Sequence, residues 1–320
     1  MFDVVCIGSP LVDITVSVPD SFLEGVGLKK GIMSLTDDVS QKFLLSSLQG
    51  MNSSLSTGGS SANVALGVAA LGGKSSFIGK VGSDGNGSFF ESSLLNKGVI
   101  PKLSKSLDLM TGSAIALITS DGERTFSTYL GAASSLSKGD VLNLPRAKFF
   151  HVEAYLLENP LHKELVFYLV KQAKAQGSKI SFDLSDPMLI ERIKPVMVDF
   201  LEFVDVIFAN EVEAKKFTGE DGLNAARSLS NVCEVAVVKL GKNGSVVVSG
   251  KCQEIIKPDV VEPVNTNGAG DAYAAGFLFG LANNFDLKKC GAVASFLARE
   301  IVLVEEASLS NSLKDKLENF

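Results

Sequence analysis

The sequence predicts an α/β fold: a mostly parallel central sheet with helices on both faces, and a small β-sheet that protrudes from it. From residue 147 onward, short apolar runs alternate with helical patterns, which is typical of right-handed βαβ crossovers. The N-terminal run at residues 3–8 (DVVCIG) is typical of a buried strand. Two β-rich runs between residues 112 and 130 flank Asp121-Gly122, a dipeptide that favours a hairpin.

Apolar periodicity and turn residues predict the individual elements in chain order. The predicted strands lie at residues 3–8, 13–18, 31–35 and 75–79, in the hairpin at 112–130, in the runs KFFHV, KISFDL, VDVIFAN and EVAVVKL, and within 245–256. The predicted helices lie at residues 61–71, 87–97, 159–176, 211–217 and 223–229, and from residue 268 onward.

The small sheet is expected to combine the early β-like segments with the hairpin, although these are far apart in sequence. The predicted large α/β domain therefore comprises residues 1–11, 37–102 and 131–320. The predicted small β lid comprises residues 12–36 and 103–130.

The composition argues against several classes of function. With 46% hydrophobic and 21% charged residues among 320, the chain can bury a sizeable core. A net charge of −6 without a Lys/Arg block argues against nucleic-acid or anionic-membrane partners, and no apolar run approaches the ~20 residues of a membrane span. Four scattered cysteines and only two histidines argue against a His-based zinc site and predict a reducing, cytoplasmic location. The early acid Asp3 predicts that the N-terminus is a first strand rather than a signal peptide.

The stretch at residues 265–276 (NTNGAGDAYAAG) carries the clearest chemical signal. Glycines at a helix start leave backbone N–H groups uncovered, and the helix dipole adds partial positive charge, so an anion such as phosphate is stabilised there. Asp271 stands beside these N–H groups. Its carboxylate either caps the helix or acts as a base that takes a hydroxyl proton while the N–H groups hold a phosphoryl group.

Other nucleotide and hydrolase motifs are incomplete. The tail of a Walker loop, Gly73-Lys74-Ser75, lacks its first glycine because position 68 is Val. The first strand is followed by Gly8-Ser9-Pro10 rather than by a dinucleotide-binding glycine fingerprint, which argues against a nicotinamide-dependent oxidoreductase. A G-x-S-x-G elbow does not occur, so the usual hydrolase signature is missing.

Four stretches of the chain, taken together and in this order, resemble the PfkB/ribokinase family of small-molecule kinases. They are residues 8–13 (GSPLVD), residues 58–65 (GGSSANVA) continued by 79–87 (GKVGSDGNG), residues 210–213 (NEVE), and the loop at 265–271 after 241–244 (GKNG). The second and fourth stretches are specific, and the match runs across nearly the whole chain. The resemblance implies a ribokinase-like three-layer α/β/α fold in which the small sheet is a lid.

The resemblance also implies a reaction, in which ATP gives its γ-phosphoryl group to a primary hydroxyl of a sugar or nucleoside. In the family pattern Asp271 matches the catalytic base, and the N–H groups of Gly268, Ala269 and Gly270 form the anion site. The residues that match the acceptor site are Asp13, Gly58, Gly59 and Asn63. Taken alone, Asp13 is equally typical of a turn after a strand, and Asn63 of a first helical turn.

The resemblance also assigns residues to the nucleotide. Asn210, Lys239, Gly241 and Gly244 match positions near ATP, and Glu213 matches an acid associated with Mg²⁺, which acts through water. The plain alternatives are a helix cap at Asn210 with an acidic first turn, and a simple hairpin at the two glycines. Arg124 either reaches over the phosphates from the lid or is a solvated surface charge, the more common state of a strand arginine.

Three positions depart from the family pattern. Asn265 stands where the loop usually begins with Asp, Lys239 stands where Thr is more frequent, and residues 304–308 (VEEAS) lack the usual glycine. The first and third bear on a monovalent-cation site, so the dependence of this chain on such an ion stays open.

The acceptor is predicted to be adenosine or another ribonucleoside, ahead of ribose, fructose or another free sugar. Asn267 and the opening GSPLVDI are closer to the adenosine-kinase branch. A nucleoside base needs aromatic or apolar walls, for which Tyr155, Phe126 and Phe182 are candidates. A catalytically silent sugar- or nucleoside-binding regulator is the alternative from another class, and the family allows either a monomer or a homodimer.

Overall fold

The computed structural model describes residues 1–258, 261–304 and 313–317. The strands are β1 (Phe2–Ile7), β2 (Leu11–Ser17), β3 (Met33–Leu35), β4 (Ser53–Gly58), β5 (Ser75–Gly82), β6 (Ile100–Ser106), β7 (Thr111–Ile118), β8 (Arg124–Gly131), β9 (Ala147–Glu153), β10 (Lys179–Asp183), β11 (Val206–Asn210), β12 (Val235–Lys239), β13 (Ser245–Ser249) and β14 (Cys252–Ile256). The helices are α1 (Asp20–Gly25), α2 (Asp38–Ser47), α3 (Ser60–Ala70), α4 (Gly85–Asn96), α5 (Pro160–Ala175), α6 (Pro187–Phe200), α7 (Glu211–Thr218), α8 (Gly222–Ser230), α9 (Ala269–Ala282), α10 (Leu287–Val302) and α11 (Leu313–Leu317).

Nine strands form the large sheet, in the order β14-β13-β12-β11-β10-β9-β1-β5-β6. The strands from β6 to β12 run parallel, and β13 and β14 add an antiparallel edge. Parallel strands need crossover helices, which here cover both faces of the sheet. The predicted α/β fold with a mostly parallel central sheet is confirmed.

The core divides into two layers, one on each face of the large sheet, because successive strand residues point to opposite faces. On one face, strand residues such as Val4 and Phe149 pack with α3, α4, α9 and α10. On the other, their neighbours Val5 and Phe150 pack with α5, α6, α7 and α8. Among the helices of the described residues, none is long and apolar enough to cross a membrane.

Five strands form a separate, smaller sheet in the order β3-β8-β7-β2-β4. Strand β2 leaves β1 after only Gly8-Ser9-Pro10, so the two sheets meet at this turn. The predicted hairpin is present: β7 and β8 pair antiparallel, and Gly122, with φ of 83°, lies in the turn between them. Strand β4 also belongs to this sheet, although the predicted division places residues 37–102 in the large domain. Residues 53–58 would therefore have to be counted with the smaller sheet. The remainder of the predicted domain division stays a prediction.

The sequence patterns did not predict α1, α2, β4, β6 and α6. Strand β4 (SSLSTG) has small polar residues in place of branched apolar ones, and β6 (IPKLSKS) is a polar edge strand that tolerates Pro101. Helix α6 contains Pro195, and Ile193 has a non-helical φ of −125°, so its apolar period is interrupted. A strand of small or polar residues and a kinked helix both lack the regular apolar spacing by which strands and helices are predicted.

We predict that the close packing of α9 against α10 makes Gly276 sensitive to a single methyl group. A Cβ at Gly276 would lie 2.7 Å from Ala294 Cα and 2.9 Å from the Val293 carbonyl oxygen, both backbone atoms. Gly276→Ala should therefore lower the free energy of unfolding by about 1–3 kcal/mol in a urea titration. Gly85→Ala is the matched control, because a Cβ at this helical position meets nothing within 4 Å. Equal stability of the two variants would contradict the packing.

Candidate active site

The C-terminal ends of the parallel strands lie side by side along one end of the large sheet, which is called the rim here. Open α/β sheets bind their ligands at this end. Polar residues end four of these strands: Glu153 on β9, Asp183 on β10, Asn210 on β11 and Lys239 on β12. Glu153 is in register with Asp183, and Asn210 with Lys239. The sheet therefore brings three acidic or amide side chains and one ammonium to the same rim.

Asp271 is held at this rim by two side chains from a helix in the other half of the chain. Its Oδ1 accepts a hydrogen bond from Ser60 Oγ at 2.7 Å, and its Oδ2 accepts one from Asn63 Nδ2 at 2.9 Å. Both donors lie in the first turn of α3. Burial raises the pKa of Asp271 to about 6, against these two hydrogen bonds, which lower it. Two residues predicted for different parts of the site, Asp271 and Asn63, are thus in direct contact.

The glycine turn before Asp271 begins α9. Gly268 adopts the left-handed conformation with φ of 76°, and the helix starts at Ala269. Gly270 and Asp271 therefore lie in the first helical turn, whose N–H groups have no partners within their own helix. Ala269 N donates to the carbonyl oxygen of Thr266 at 3.3 Å. The predicted anion site and the predicted base lie at the same helix terminus, and the anion site stays a prediction.

Asp13 lies on β2, where it is paired with Ser56 of β4. A Cβ at Gly58 would overlap the Asp13 carboxylate, and a Cβ at Gly59, where φ is 97°, would overlap the carbonyl oxygen of Ser9. Burial raises the pKa of Asp13 to about 7, and the negative charge of Asp271 adds to this shift. Glycine is thus needed at both positions, because the Asp13 carboxylate and the Ser9 carbonyl oxygen lie where a Cβ would be. The carboxylates of Asp13 and Asp271 are close enough for their charges to interact.

Glu153 lies among the predicted site residues, although the sequence analysis did not single it out. Its Oε2 accepts a hydrogen bond from Ser61 N at 2.8 Å and its Oε1 one from Ser9 N at 3.3 Å, so that it joins the turn after β1 to the start of α3. Burial raises its pKa to about 7. Its signal in the sequence is an acid that directly ends an apolar strand (KFFHVE), as Asp183 does in KISFD.

Lys239 forms an ion pair with Asp183 next to the glycine turn of α9. Its Nζ lies 2.9 Å from Asp183 Oδ2, and only 14% and 7% of the two side chains are exposed. The same Nζ lies 3.2 Å from the point that a Cβ of Gly270 would occupy. Burial works to lower the pKa of Lys239, but the charges of Asp183 and Glu213 outweigh it and raise the pKa. The departure from Thr therefore places a fixed positive charge against the predicted anion site.

Asn210 and Glu213 form a reciprocal cap on α7. Asn210 Oδ1 accepts from Glu213 N at 2.8 Å, while the Glu213 carboxylate accepts from Asn210 N at 2.7 Å and Nδ2 at 2.6 Å. Burial, with the charge of Asp183, raises the pKa of Glu213 to about 7. Each carboxylate oxygen accepts one hydrogen bond from Asn210 and keeps a second lone pair, so Glu213 can also accept hydrogen bonds from the water shell of an ion. Across the described residues, no group of three or more His, Cys, Asp and Glu side chains converges as a direct metal site would require.

Gly241 and Gly244 form the tight turn between β12 and β13. Both have positive φ, 57° and 90°, and Leu240 N donates to Gly244 O at 2.7 Å. The geometry is that of the hairpin alternative, and it follows directly on Lys239 at the rim. Their assignment to the nucleotide stays a prediction.

Arg124 reaches from the smaller sheet to the loop that leads into α9. Its Nη1 donates to Asn265 Oδ1 at 3.1 Å, and the same oxygen accepts from Asn267 N at 3.0 Å. Arg124 is thus engaged with the loop rather than with solvent alone. The other departure relevant to a monovalent cation, residues 304–308, lies outside the described residues from position 305 onward.

The three aromatic residues predicted to line the acceptor site differ in burial and in their position relative to the rim. Phe182 is wrong for this role, because it is fully buried in the core on the far face, with its ring centroid 4.9 Å from that of Phe200. Tyr155 follows β9 at the rim and is 44% exposed. Phe126 is half-buried on β8 of the smaller sheet. Tyr155 and Phe126 remain candidates.

The chain is similar to known kinases in both sequence and structure. An adenosine kinase from Sinorhizobium meliloti has a solved structure that matches with a TM-score of 0.87 and 32% identity over 99% of both chains. An adenosine kinase from Saccharomyces cerevisiae is 30% identical over 92% of this chain and 93% of its own. A fructokinase from Vibrio alginolyticus is 32% identical over 74% of this chain and 80% of its own.

A probable sugar kinase from Rhizobium etli has a solved structure that matches with a TM-score of 0.88 and 30% identity over 99% of this chain and 98% of its own. The ribokinase-like fold predicted from the sequence is confirmed by these two structural matches. The family model described as pfkB family carbohydrate kinase matches residues 31–314, most of the chain. The chain therefore belongs to the pfkB family of carbohydrate and nucleoside kinases, enzymes that use ATP as phosphoryl donor.

Proposed function

We propose that this kinase transfers the γ-phosphoryl group of ATP to the primary hydroxyl of a ribonucleoside, with adenosine as the first candidate. The observation that carries the proposal is the position of Asp271, held by Ser60 and Asn63 at the glycine turn of α9. A base and an anion site at one helix terminus are the two parts that phosphoryl transfer to a hydroxyl requires.

In the proposed reaction, the acceptor hydroxyl gives its proton to Asp271 as its oxygen forms a bond to the γ-phosphorus. The bond from that phosphorus to the β,γ-bridging oxygen breaks, and ADP leaves with the electron pair. The N–H groups of residues 268–270 and the ammonium of Lys239 stabilise the negative charge on the transferring oxygens. Since the transition state is loose, positioning and charge stabilisation supply most of the rate enhancement.

Mg²⁺ is proposed to accompany ATP, with Glu213 and Asn210 as the residues that would hold its water shell. When bound, the ion would neutralise charge on the phosphates. Glu213 suits this outer position because Asn210 orients its carboxylate, and each oxygen keeps a lone pair that can accept a hydrogen bond from water. Lys239 and the α9 terminus remain the charges that this chain itself directs at the phosphates.

The nucleoside is placed ahead of a free sugar because, among the sequence relatives, the adenosine kinase matches over 92% of this chain and the fructokinase over 74%. The structural matches do not separate the two, since an adenosine kinase and a probable sugar kinase each cover 99% of this chain. The fructokinase similarity keeps a hexose as the alternative. A thermal-shift screen with nucleosides and sugars, followed by coupled ADP release, separates the two because a bound acceptor raises the apparent stability. Adenosine should raise the melting temperature and be turned over. Turnover of hexoses alone would establish the alternative, and binding without any turnover would indicate a silent regulator.

The base assignment predicts that Asp271→Asn lowers kcat by about 10²–10⁴-fold with little change in the KM for ATP. Steady-state ADP release measures both. The matched control is Asp286→Asn, since Asp286 also starts a helix but only caps it, through Lys289 N at 2.7 Å. A variant at Asp271 with nearly normal kcat would show that another group takes the proton.

The pH dependence should follow from the raised pKa values of Asp271 and Asp13, about 6 and about 7. The base must be ionised to accept a proton, so kcat/KM for the acceptor should fall as the pH is lowered through 7 and 6. The two acids interact, and the profile reports the pair rather than either residue alone. A profile of kcat/KM that is flat between pH 5 and 8 would contradict a raised pKa for the base.

Asp13→Asn should strengthen the fold while weakening acceptor binding. A carboxyl group whose pKa is raised in the folded state costs stability as the pH rises from its unfolded value near 4 to its folded value of about 7. The variant should therefore gain about 1–2 kcal/mol in the free energy of unfolding at pH 8, allowing for solvent screening, and almost nothing at pH 4. Its KM for the acceptor should rise. A stability gain that does not depend on pH would contradict burial of the ionised carboxylate as its cause.

A further inference from the structure

Ser60 donates a hydrogen bond to the proposed base, although it is not among the residues assigned to the acceptor site. It is the first residue of α3, and its Oγ donates to Asp271 Oδ1 at 2.7 Å. A serine side chain is a primary alcohol, CH₂–OH, the same group as the reacting end of a ribonucleoside. A hydroxyl within hydrogen-bond reach of a carboxylate is also the contact that general-base catalysis requires of its substrate.

The location of Ser60 places this hydroxyl between the two acids of the site. Gly58, two residues earlier, lies against the Asp13 carboxylate, and Ser60 lies against Asp271. Gly59, with φ of 97°, fixes the turn between them. The segment from residue 58 to 60 therefore spans the gap across which an acceptor has to reach from Asp13 to the base.

The two bonds to Asp271 are not equivalent. Asn63 is half-buried like Ser60 and holds Oδ2 through its amide nitrogen, while its own Oδ1 is an enclosed atom for which the described residues offer no hydrogen-bond partner. Ser60 is half-buried, and rotation about its single χ1 angle moves the hydroxyl away from Asp271 without disturbing the helix. Oδ1 is thus the oxygen that can exchange its donor.

We propose that Ser60 Oγ occupies the position of the acceptor hydroxyl in the free enzyme and yields it when the acceptor binds. The inference rests on the proposed role of Asp271 as base. In the free enzyme Ser60 keeps a donor on a partly buried carboxylate, which otherwise would have to take up a proton or water. On binding, the substrate CH₂–OH replaces the CH₂–OH of Ser60, and the number of hydrogen bonds to Asp271 is conserved.

Competition for one oxygen can be measured as a coupling between two hydroxyl groups, one on the protein and one on the ligand. The ligand pair is adenosine and 5′-deoxyadenosine, or fructose and its analogue without the phosphorylated hydroxyl if the acceptor screen selects the sugar. Dissociation constants are measured calorimetrically at pH 8 without ATP, for wild type, Ser60→Ala and Ser60→Thr. Ser60→Thr is the matched control because it retains the hydroxyl.

In wild type the ligand hydroxyl replaces an existing bond, so its removal should weaken binding only slightly. In Ser60→Ala it fills an empty place on a carboxylate, so the ratio of the two dissociation constants should increase about tenfold over wild type. Ser60→Thr should keep the wild-type ratio. A ratio in Ser60→Ala within twofold of wild type would overturn the proposal.

A pH measurement gives a second, independent test. The Ser60 hydrogen bond lowers the pKa of Asp271, so its loss should move the acidic limb of kcat/KM, which reports the free enzyme, to higher pH. The limb of kcat, which reports the complex, should stay in place, because Ser60 no longer contacts Asp271 there. An equal shift of both limbs would show that Ser60 stays bound and only orients the base. Failure of the proposed function is distinct, since then Asp271→Asn would retain its kcat.

Discussion

The carboxylate of Asp271, held between the first turns of α3 and α9, is the interaction on which the rest of the site depends. Ser60 and Asn63 lie more than 200 positions away from Asp271 in sequence. The contact exists because α3 and α9 pack side by side on one face of the large sheet, with their N-termini at the rim. The fold thus brings the proposed base from the C-terminal part of the chain to the proposed acceptor segment from the N-terminal part.

The second feature of the rim is a group of buried acidic side chains. Asp13, Glu153, Glu213 and Asp271 all have raised pKa values, with desolvation as the main cause. Each costs folding stability when ionised at neutral pH, and such a group of buried acids with raised pKa values is typical of a functional site. The Lys239–Asp183 pair and the α9 terminus counter this negative charge where a polyphosphate has to bind. Lys239 and the α9 terminus thus offset the negative charges of Asp183, Glu213 and Asp271 around the proposed anion site.

Much of this could be predicted from the sequence, because glycines and periodic apolar runs are local signals. The glycine turn before Asp271 and the pair Gly58-Gly59 could be found because glycine marks unusual backbone: Gly268 has a φ of 76°, and a Cβ at Gly58 or Gly59 would overlap neighbouring atoms. Glu153 and Ser60 could not be found in the same way. Their roles arise from contacts with Ser9, Ser61 and Asp271 that only the packed fold creates.

The same reasoning explains the errors in the fold and the acceptor wall. Phe182 belongs to an alternating strand, and which face it takes depends on register, so its burial on the far side was not visible locally. Strand β4 was missed because Ser and Gly carry little strand propensity, and its place is set by pairing with β2. A tertiary partner, rather than the segment itself, decides such positions.

The most direct test of the central claim is a crystal structure of the complex with ADP, a planar fluoride mimic of the phosphoryl group, and the acceptor. The account predicts that the acceptor hydroxyl lies within hydrogen-bond distance of Asp271, and that the mimic contacts the N–H groups of residues 268–270. A mimic bound away from this turn, or an acceptor hydroxyl directed at another carboxylate, would contradict it.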